Sequence, residues 1–304
     1  MMSVQPICRG CGQPIWGEYL NALGGQWHPE HFVCAGCHRP IRDASFLTYE
    51  GAPYHTDCYR NQILPRCAYC GKPMDKFMVD HWGTKYCRHH QDAYPSCVYC
   101  GRLVPPEQQE PGAEHIRCPV CRSTAITSAA EAKPIFSNLI RWVSSQGLTY
   151  NNLRLSLELH GRARLSQLLR ERDQPHSLGV TTSTTYTQNG HVERTEVNGI
   201  AVLEGLPSTL FQGVTIHELG HVWLIVHGIQ DLPIWAAEGF CEYLSYRYYM
   251  DMNTPESRYH ALCIEQNKDR VYGDGFRHMR TLVDKYGFSR LLEILDTTKR
   301  LPSR

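Results

Sequence analysis

This chain has no segment that reads as a membrane span. No window of eighteen consecutive apolar residues occurs in its 304 positions, so no spanning helix is expected. The first ten residues, MMSVQPICRG, lack the apolar core of a secretory signal. Net charge is nearly absent: 31 Lys and Arg stand against 30 Asp and Glu, leaving +1. Without a Lys/Arg-rich stripe, nucleic acid and anionic membrane surfaces are poor candidate partners. Secretory context is missing as well, so the 14 cysteines do not argue for disulfides. These absences together predict a cytoplasmic protein whose cysteines serve another purpose.

Twelve of the cysteines lie in the first 121 residues, in short Cys-x-x-Cys or His-x-x-Cys pairs. The first group is Cys8, Cys11, His28, His31, Cys34, Cys37, His55 and Cys58, with spacers of 16 and 17 residues inside its two halves. Eight nitrogen and sulfur donors at these intervals make two tetrahedral zinc sites, Cys8/Cys11/His28/His31 and Cys34/Cys37/His55/Cys58. The module resembles a LIM domain, and Trp27-His28-Pro29-Glu30 and Pro53-Tyr54-His55 add to the likeness. His31 and His55 stand where Cys is commoner. A second group repeats the 16 and 17 spacers: Cys67, Cys70, Cys87 and His90, then Cys97, Cys100, Cys118 and Cys121. It is a LIM-like variant whose halves are six residues apart rather than two. All sixteen positions are filled by protein donors, so these sites are structural, and their expected task is docking or regulation. His81, His89 and His115 fall off register and read as solvated or packing residues.

A different metal pattern lies at His217-Glu218-Leu219-Gly220-His221. Histidines four apart stack on one face of a helix and can grip one ion, with Glu218 beside them to handle a water proton. The flanking run VTIHELGHVWLIV is mostly apolar, so the helix is expected to be buried, with Pro207-Ser208 opening it and Gly228 closing it. Buried imidazoles and a carboxylate need partners, and a metal supplies them. Glu238, in a second helix, is the expected third ligand. Three protein ligands leave one coordination position open, which marks a catalytic zinc. Glu242, one turn further, is expected to hydrogen-bond a ligand histidine. Gly239 inside that helix suggests close approach to the zinc helix. His227 is a rival ligand, spaced as in metzincins, but that pattern needs Gly where Leu224 stands. With the helix continuing, residue 227 points about 240° around the axis from His221.

Between these regions, residues 122–133 read as a helical linker ending at Pro134 and leading into a helix at 135–145. Leu153, Leu155, Leu157 and Leu159 alternate as in a strand. Residues 163–171 look helical. Stretches 181–187 and 192–203 are β-prone and flank Asn189-Gly190, a hairpin signal. Helices are expected near 255–269, 275–286 and 288–298, with Gly287 between the last two. The predicted fold class is therefore α+β: a LIM domain at 1–62, a LIM-like zinc module at 63–124, and a zincin-type, gluzincin-like metallopeptidase domain at 125–304. An exposed strand edge would hold an extended substrate.

The order of modules resembles the DA1 family of LIM-domain peptidases, regulators of plant organ size. The likeness rests on Lys85-Tyr86-Cys87-x2-His90, Val202-Leu203-Glu204-Gly205-Leu206-Pro207, His217-Glu218-x-x-His221-Val222-Trp223, Glu238-Gly239-Phe240-Cys241 and Val271-Tyr272-Gly273-Asp274-Gly275-Phe276-Arg277. The resemblance implies a ubiquitin-activated endopeptidase acting on regulatory proteins, with ubiquitin or ubiquitinated proteins as partners. The LIM domain begins at residue 8 here, so a compact form without the ubiquitin-interacting helices is expected. Tyr272 and His278, in the last of these segments, are candidates to stabilise the oxyanion. One catalytic and four structural zinc ions follow. The competing reading is a LIM scaffold with an inactive peptidase fold. Glu218 argues against it, because zinc binding does not require that residue.

Overall fold

A computed structural model describes residues 5–43, 45–113, 115–170, 177–188 and 191–302. The chain forms two compact units, Met1–Tyr94 and Pro95–Arg304. Among the described residues no helix is long and apolar enough to cross a membrane.

The first unit is built from small pieces: the hairpins β1 (Leu20–Ala22) with β2 (Gly25–Trp27) and β3 (Leu47–Tyr49) with β4 (Ala52–Tyr54), helix α1 (Thr56–Gln62), the short pair β5 (Met78–Val79) and β6 (Lys85–Tyr86), and α2 (Arg88–Ala93). Its apolar centre is little more than Phe32, Cys34 and Ile41 with their neighbours. So small a core needs metal to order it.

The local rule that builds these pieces recurs four times along the chain. Each Cys-x-x-Cys closes a tight knuckle in which the N–H of the residue after the second Cys donates to the carbonyl of the first. The bonds are Gly12 to Cys8 (2.7 Å), His38 to Cys34 (2.8 Å), Gly71 to Cys67 (2.9 Å) and Gly101 to Cys97 (2.9 Å). Those four residues have φ of 72°, 58°, 69° and 71°, which explains glycine at three of them. The repeating element is thus the single zinc half-site, and each LIM or LIM-like module is two of them.

The second unit opens with the fourth knuckle, a 3₁₀ turn at Pro106–Gln108 and α3 (Pro119–Ser123), then α4 (Ala129–Ser145). Residues 122–133 are not a linker. The Ser128 hydroxyl accepts from the Glu131 N–H, and the Glu131 carboxylate accepts from the Ser128 N–H, so a capping box starts α4 at Ala129. Pro134 lies inside the helix, where it forgoes one backbone bond. Strand β7 (Leu157–His160), helix α5 (Arg162–Arg170), and strands β8 (Gly179–Gln188) and β9 (His191–Leu203) follow. The alternating leucines thus become strand only from Leu157 onward. The sheet order is β7-β9-β8, with β9 parallel to β7 and antiparallel to β8. Gln188 pairs with His191, as the hairpin reading requires, while Asn189 and Gly190 lie outside the described residues.

Helix α6 (Ser208–Val226) carries the histidine pair and is buried nearly all round by Phe211, Ile216, Leu219, Val222, Trp223 and Leu224. Its end is a Schellman cap: Ile229 N–H donates to Leu224 O (2.8 Å) and Gly228 N–H to Ile225 O (3.0 Å), with Gly228 at φ 65°. Helices α7 (Ile234–Met252), α8 (Pro255–Gln266), α9 (Tyr272–Tyr286) and α10 (Phe288–Thr298) complete the unit. Gly239 does not serve the zinc helix. A Cβ there would lie 2.4 Å from the Gly275 carbonyl, so the close approach is between α7 and α9. On the α6 side the tight contact is instead Gly220, where a Cβ would lie 2.8 Å from Cys241 Sγ.

Candidate metal centre and active site

Four donor quartets assemble as the spacing predicts: Cys8/Cys11/His28/His31, Cys34/Cys37/His55/Cys58, Cys67/Cys70/Cys87/His90 and Cys97/Cys100/Cys118/Cys121, each with its donor atoms within 4.8 Å of one another. Backbone geometry prepares the sulfurs. Burial pushes the Cys8, Cys34 and Cys67 thiols up, but N–H groups aimed at them outweigh it and bring them to about 5, 6 and 7. His28 N–H donates to Cys8 Sγ and His55 N–H to Cys34 Sγ, each at 3.3 Å. His90 is buried with both ring nitrogens lacking a hydrogen-bond partner, a costly state that a metal relieves. The donor chemistry is that of structural zinc.

The second centre is made by two helices. His217 Nε2 lies 3.2 Å from His221 Nε2 and 3.0 Å from Glu238 Oε2, and His221 Nε2 lies 3.4 Å from the same oxygen. Three ligands on one tetrahedral zinc, with bonds near 2.0–2.1 Å, have donor atoms roughly 3.3 Å apart. The trio therefore fits an ion. Glu242 Oε1 lies 3.2 Å from His217 Nδ1, which fixes the ring so that Nε2 faces inward. Burial alone would push the His217 imidazole down, but Glu238 and Glu242 outweigh it and hold it well above its ordinary value. Likewise burial raises the Glu238 carboxyl, and His217 and His221 outweigh it, holding it far below the carboxylate range.

Cys241 Sγ is also within 4.8 Å of donor atoms of both histidines. It is fully buried, and burial together with the charges of Glu238, Glu218 and Glu242 pushes its thiol well up. This sulfur packs against Gly220, whereas Glu238 Oε2 lies 3.0 and 3.4 Å from the two histidine Nε2 atoms. Glu238 is the better third donor. His227 faces elsewhere, with Nδ1 2.8 Å from Asp296 Oδ1 and Nε2 3.0 Å from the Thr149 carbonyl.

Glu218 is buried beside the trio, and its surroundings come from a distant strand. Thr181 Oγ1, on β8, lies 2.9 Å from Glu218 Oε2 and 3.0 Å from the Glu218 carbonyl. Gly179 lets the strand pass: a Cβ there would be 3.0 Å from Glu218 Cγ and Oε1. Neither residue carries a sequence signal, since Thr in a β-prone run is ordinary. Thr181→Val should lower turnover about tenfold, in the range expected for removing a supporting hydrogen bond, with zinc content and KM unchanged, and Thr181→Ser should restore it. Equal turnover in the Val variant would show that the contact is only structural.

Tyr272 begins α9, whose free N–H groups are held by Asp269: Oδ1 accepts from Val271 (2.8 Å) and Tyr272 (2.9 Å). Its ring centre is 6.4 Å from that of His217. Burial, then the nearby carboxylates, push its hydroxyl up, so it stays a proton-bearing donor. His278 does not join the site. It is exposed, lies against Trp235, and its Nδ1 is 2.9 Å from the Asp274 carbonyl. A cavity of about 550 Å³ opens beside the trio, lined by His217, Glu218, Glu242, Tyr272 and the apolar Leu210 and Ile234.

A LIM-domain family model matches residues 8–63 and, half a module on, 34–94. A family model described as Protein DA1 matches residues 156–261. Protein DA1 of Arabidopsis thaliana is 27% identical over 97% of this chain and 68% of its own length. LIM domain-containing protein HDR3 of Oryza sativa subsp. japonica is 26% identical over 97% of the chain and 74% of its own length. Protein DA1-related 1 of Arabidopsis thaliana is 26% identical over 97% and 66%.

Proposed function

We propose that this chain, which LIM and DA1-like family models match, is a zinc-dependent endopeptidase with a zincin-type catalytic unit. The convergence of His217, His221 and Glu238 around one point, with Glu218 buried beside them, carries this reading. When bound there, zinc supplies a Lewis acid that acidifies a water and polarises a carbonyl. His217, His221 and Glu238 hold it, and Glu242 orients His217. Glu218 takes the proton of the attacking water and returns it to the leaving amine, with Thr181 fixing its carboxylate. Tyr272 donates toward the developing oxyanion. Strand β8 pairs only with β9 among the described strands, and it starts beside Glu218. Its free edge suits an extended substrate chain. The substrates are proteins, and the cytoplasm suits a chain whose cysteines must stay available to metal.

The test is direct. Zinc-loaded protein is incubated with a denatured protein mixture, and new N-termini are sequenced. Native mass spectrometry should count five zinc ions, one for each donor group. Glu238→Ala should drop the count by one and remove cleavage, while Cys241→Ser and His227→Ala keep all the metal. A zinc lost from the Cys241 or His227 variant, and kept in the Glu238 variant, would reassign the third ligand.

A further inference from the structure

The cavity beside the metal centre does not end there. A second hollow of about 360 Å³ adjoins it, and the two share Leu178, Leu210, His260 and Cys263 as walls. The far end is formed by Tyr99 and His115, which follow and precede cysteines of the fourth quartet, and by Arg162, the first residue of α5. The two hollows thus adjoin, one beside the zinc ligands and the other beside the fourth zinc knuckle.

The two ends differ in charge. Around the metal the lining carries Glu218, Glu242 and Asp269. At the far end no carboxylate lines the hollow among the described residues. His260, the wall between, is mostly buried and stacked on Tyr249, and burial pushes its imidazole down to about 4, so it is neutral near pH 7. Arg162 is half-buried, and it makes no ion pair or hydrogen bond among the described residues. Some arginines of this unit are matched, such as Arg117 to Glu110 at 3.0 Å, Arg280 to Glu265 at 2.9 Å and Arg290 to Glu293 at 2.7 Å. The Arg162 charge acts on Tyr99 at the same end of the hollow, and the planar fork of a guanidinium fits a carboxylate in two parallel bonds.

We propose that this end of the groove is an acid-selective subsite, in which Arg162 binds the Asp or Glu side chain of an extended substrate a few residues from the scissile bond. The inference rests on the peptidase reading and gives it a substrate class: segments with a carboxylate at one fixed distance from the cut. Arg162 is a specificity residue and takes no part in the chemistry.

The experiment uses the full zinc-loaded chain and C-terminally amidated, internally quenched peptides. Each position on both sides of the cut is varied among Glu, Gln and Lys. At one position Glu should exceed Gln by about tenfold in kcat/KM, the scale of a single charge-assisted hydrogen bond. Arg162→Ala should cut the Glu and Gln peptides alike, and Arg162→Glu should turn the preference toward Lys. Binding of the same peptides to Glu218→Gln protein, followed by fluorescence anisotropy, gives a readout without turnover. Tighter binding of the Glu peptide that disappears in the double variant supports the subsite even if no peptide is cut, in which case the peptidase reading alone falls. Cleavage with no acid preference, or a preference that survives in Arg162→Ala, overturns the subsite and leaves the peptidase reading standing. A preference that appears only with a free C-terminus also overturns it, because the groove would then read a chain end.

Discussion

Replacing Glu218 by Gln is expected to lower kcat about 10²- to 10⁴-fold, the range for losing a general base, while all five donor groups keep their zinc. The amide preserves shape and can still meet Thr181 Oγ1, 2.9 Å away in the native chain. It cannot take a proton from water. His217, His221 and Glu238 are untouched, so metal content by mass spectrometry should be unchanged. The result isolates proton transfer from metal binding, which variants of the ligands cannot do. Turnover near that of the native chain, with zinc in place, would end the assignment of Glu218 as base.

The second large effect concerns where the catalytic unit begins. Composition alone suggests that a fragment starting at residue 125 holds the peptidase. A different fragment is expected to stand alone, because the fourth knuckle belongs to the compact unit Pro95–Arg304. Directly after Cys121, the chain pairs with the segment leading into α6: Ser208 N–H donates to Thr124 O (2.8 Å), Ile126 N–H to Leu206 O (2.9 Å) and Gly205 N–H to Ile126 O (2.8 Å). Tyr99 packs on the core of the unit. Leu103 and Val104 are buried, each contributing about 1.5–3 kcal/mol by its burial. The Arg102–Glu256 pair, at 3.9 Å and partly exposed, adds little. A 95–304 fragment should therefore fold, bind two zinc ions and cleave unfolded substrates. A 125–304 fragment loses a structural zinc and the start of the strap before α6. It should lose several kcal/mol of stability, melt at a markedly lower temperature and cleave weakly if at all. Thermal melts and zinc counts on the two fragments decide this. Equal melting temperatures and equal kcat/KM would return the fourth quartet to a docking role.

Much of this protein was legible from spacing. The four structural quartets were readable because each ligand pair sits on a knuckle whose geometry is local and repeats in sequence. His217 and His221 were readable because a helix brings residues four apart to one face. His227 could be set aside from Leu224 alone, since a helix that continues there turns residue 227 away. The observed Schellman cap after His227 is the physical form of that argument. Glu238 and Glu242 stand one turn apart on the next helix, and Glu242 Oε1 lies 3.2 Å from His217 Nδ1.

What spacing cannot carry is contact between elements far apart in the chain. Thr181 meets Glu218 across 37 residues because β8 crosses α6 at Gly179, and no periodicity announces that crossing. Gly239 signals a close approach, but only packing shows that its neighbour is Gly275 on α9. That same contact brings α9 alongside α7, and the Tyr272 ring at its start is 6.4 Å from that of His217 while His278, six residues on, lies against Trp235. The fourth quartet repeats the Cys-x-x-Cys spacing of the other three, yet it belongs to the same compact unit as α6. The sequence by itself determined which atoms can bind metal, because ligand geometry is local. The tertiary structure decided which of those sites share a unit with α6 and what surrounds Glu218, because burial and close approach are properties of the packed chain.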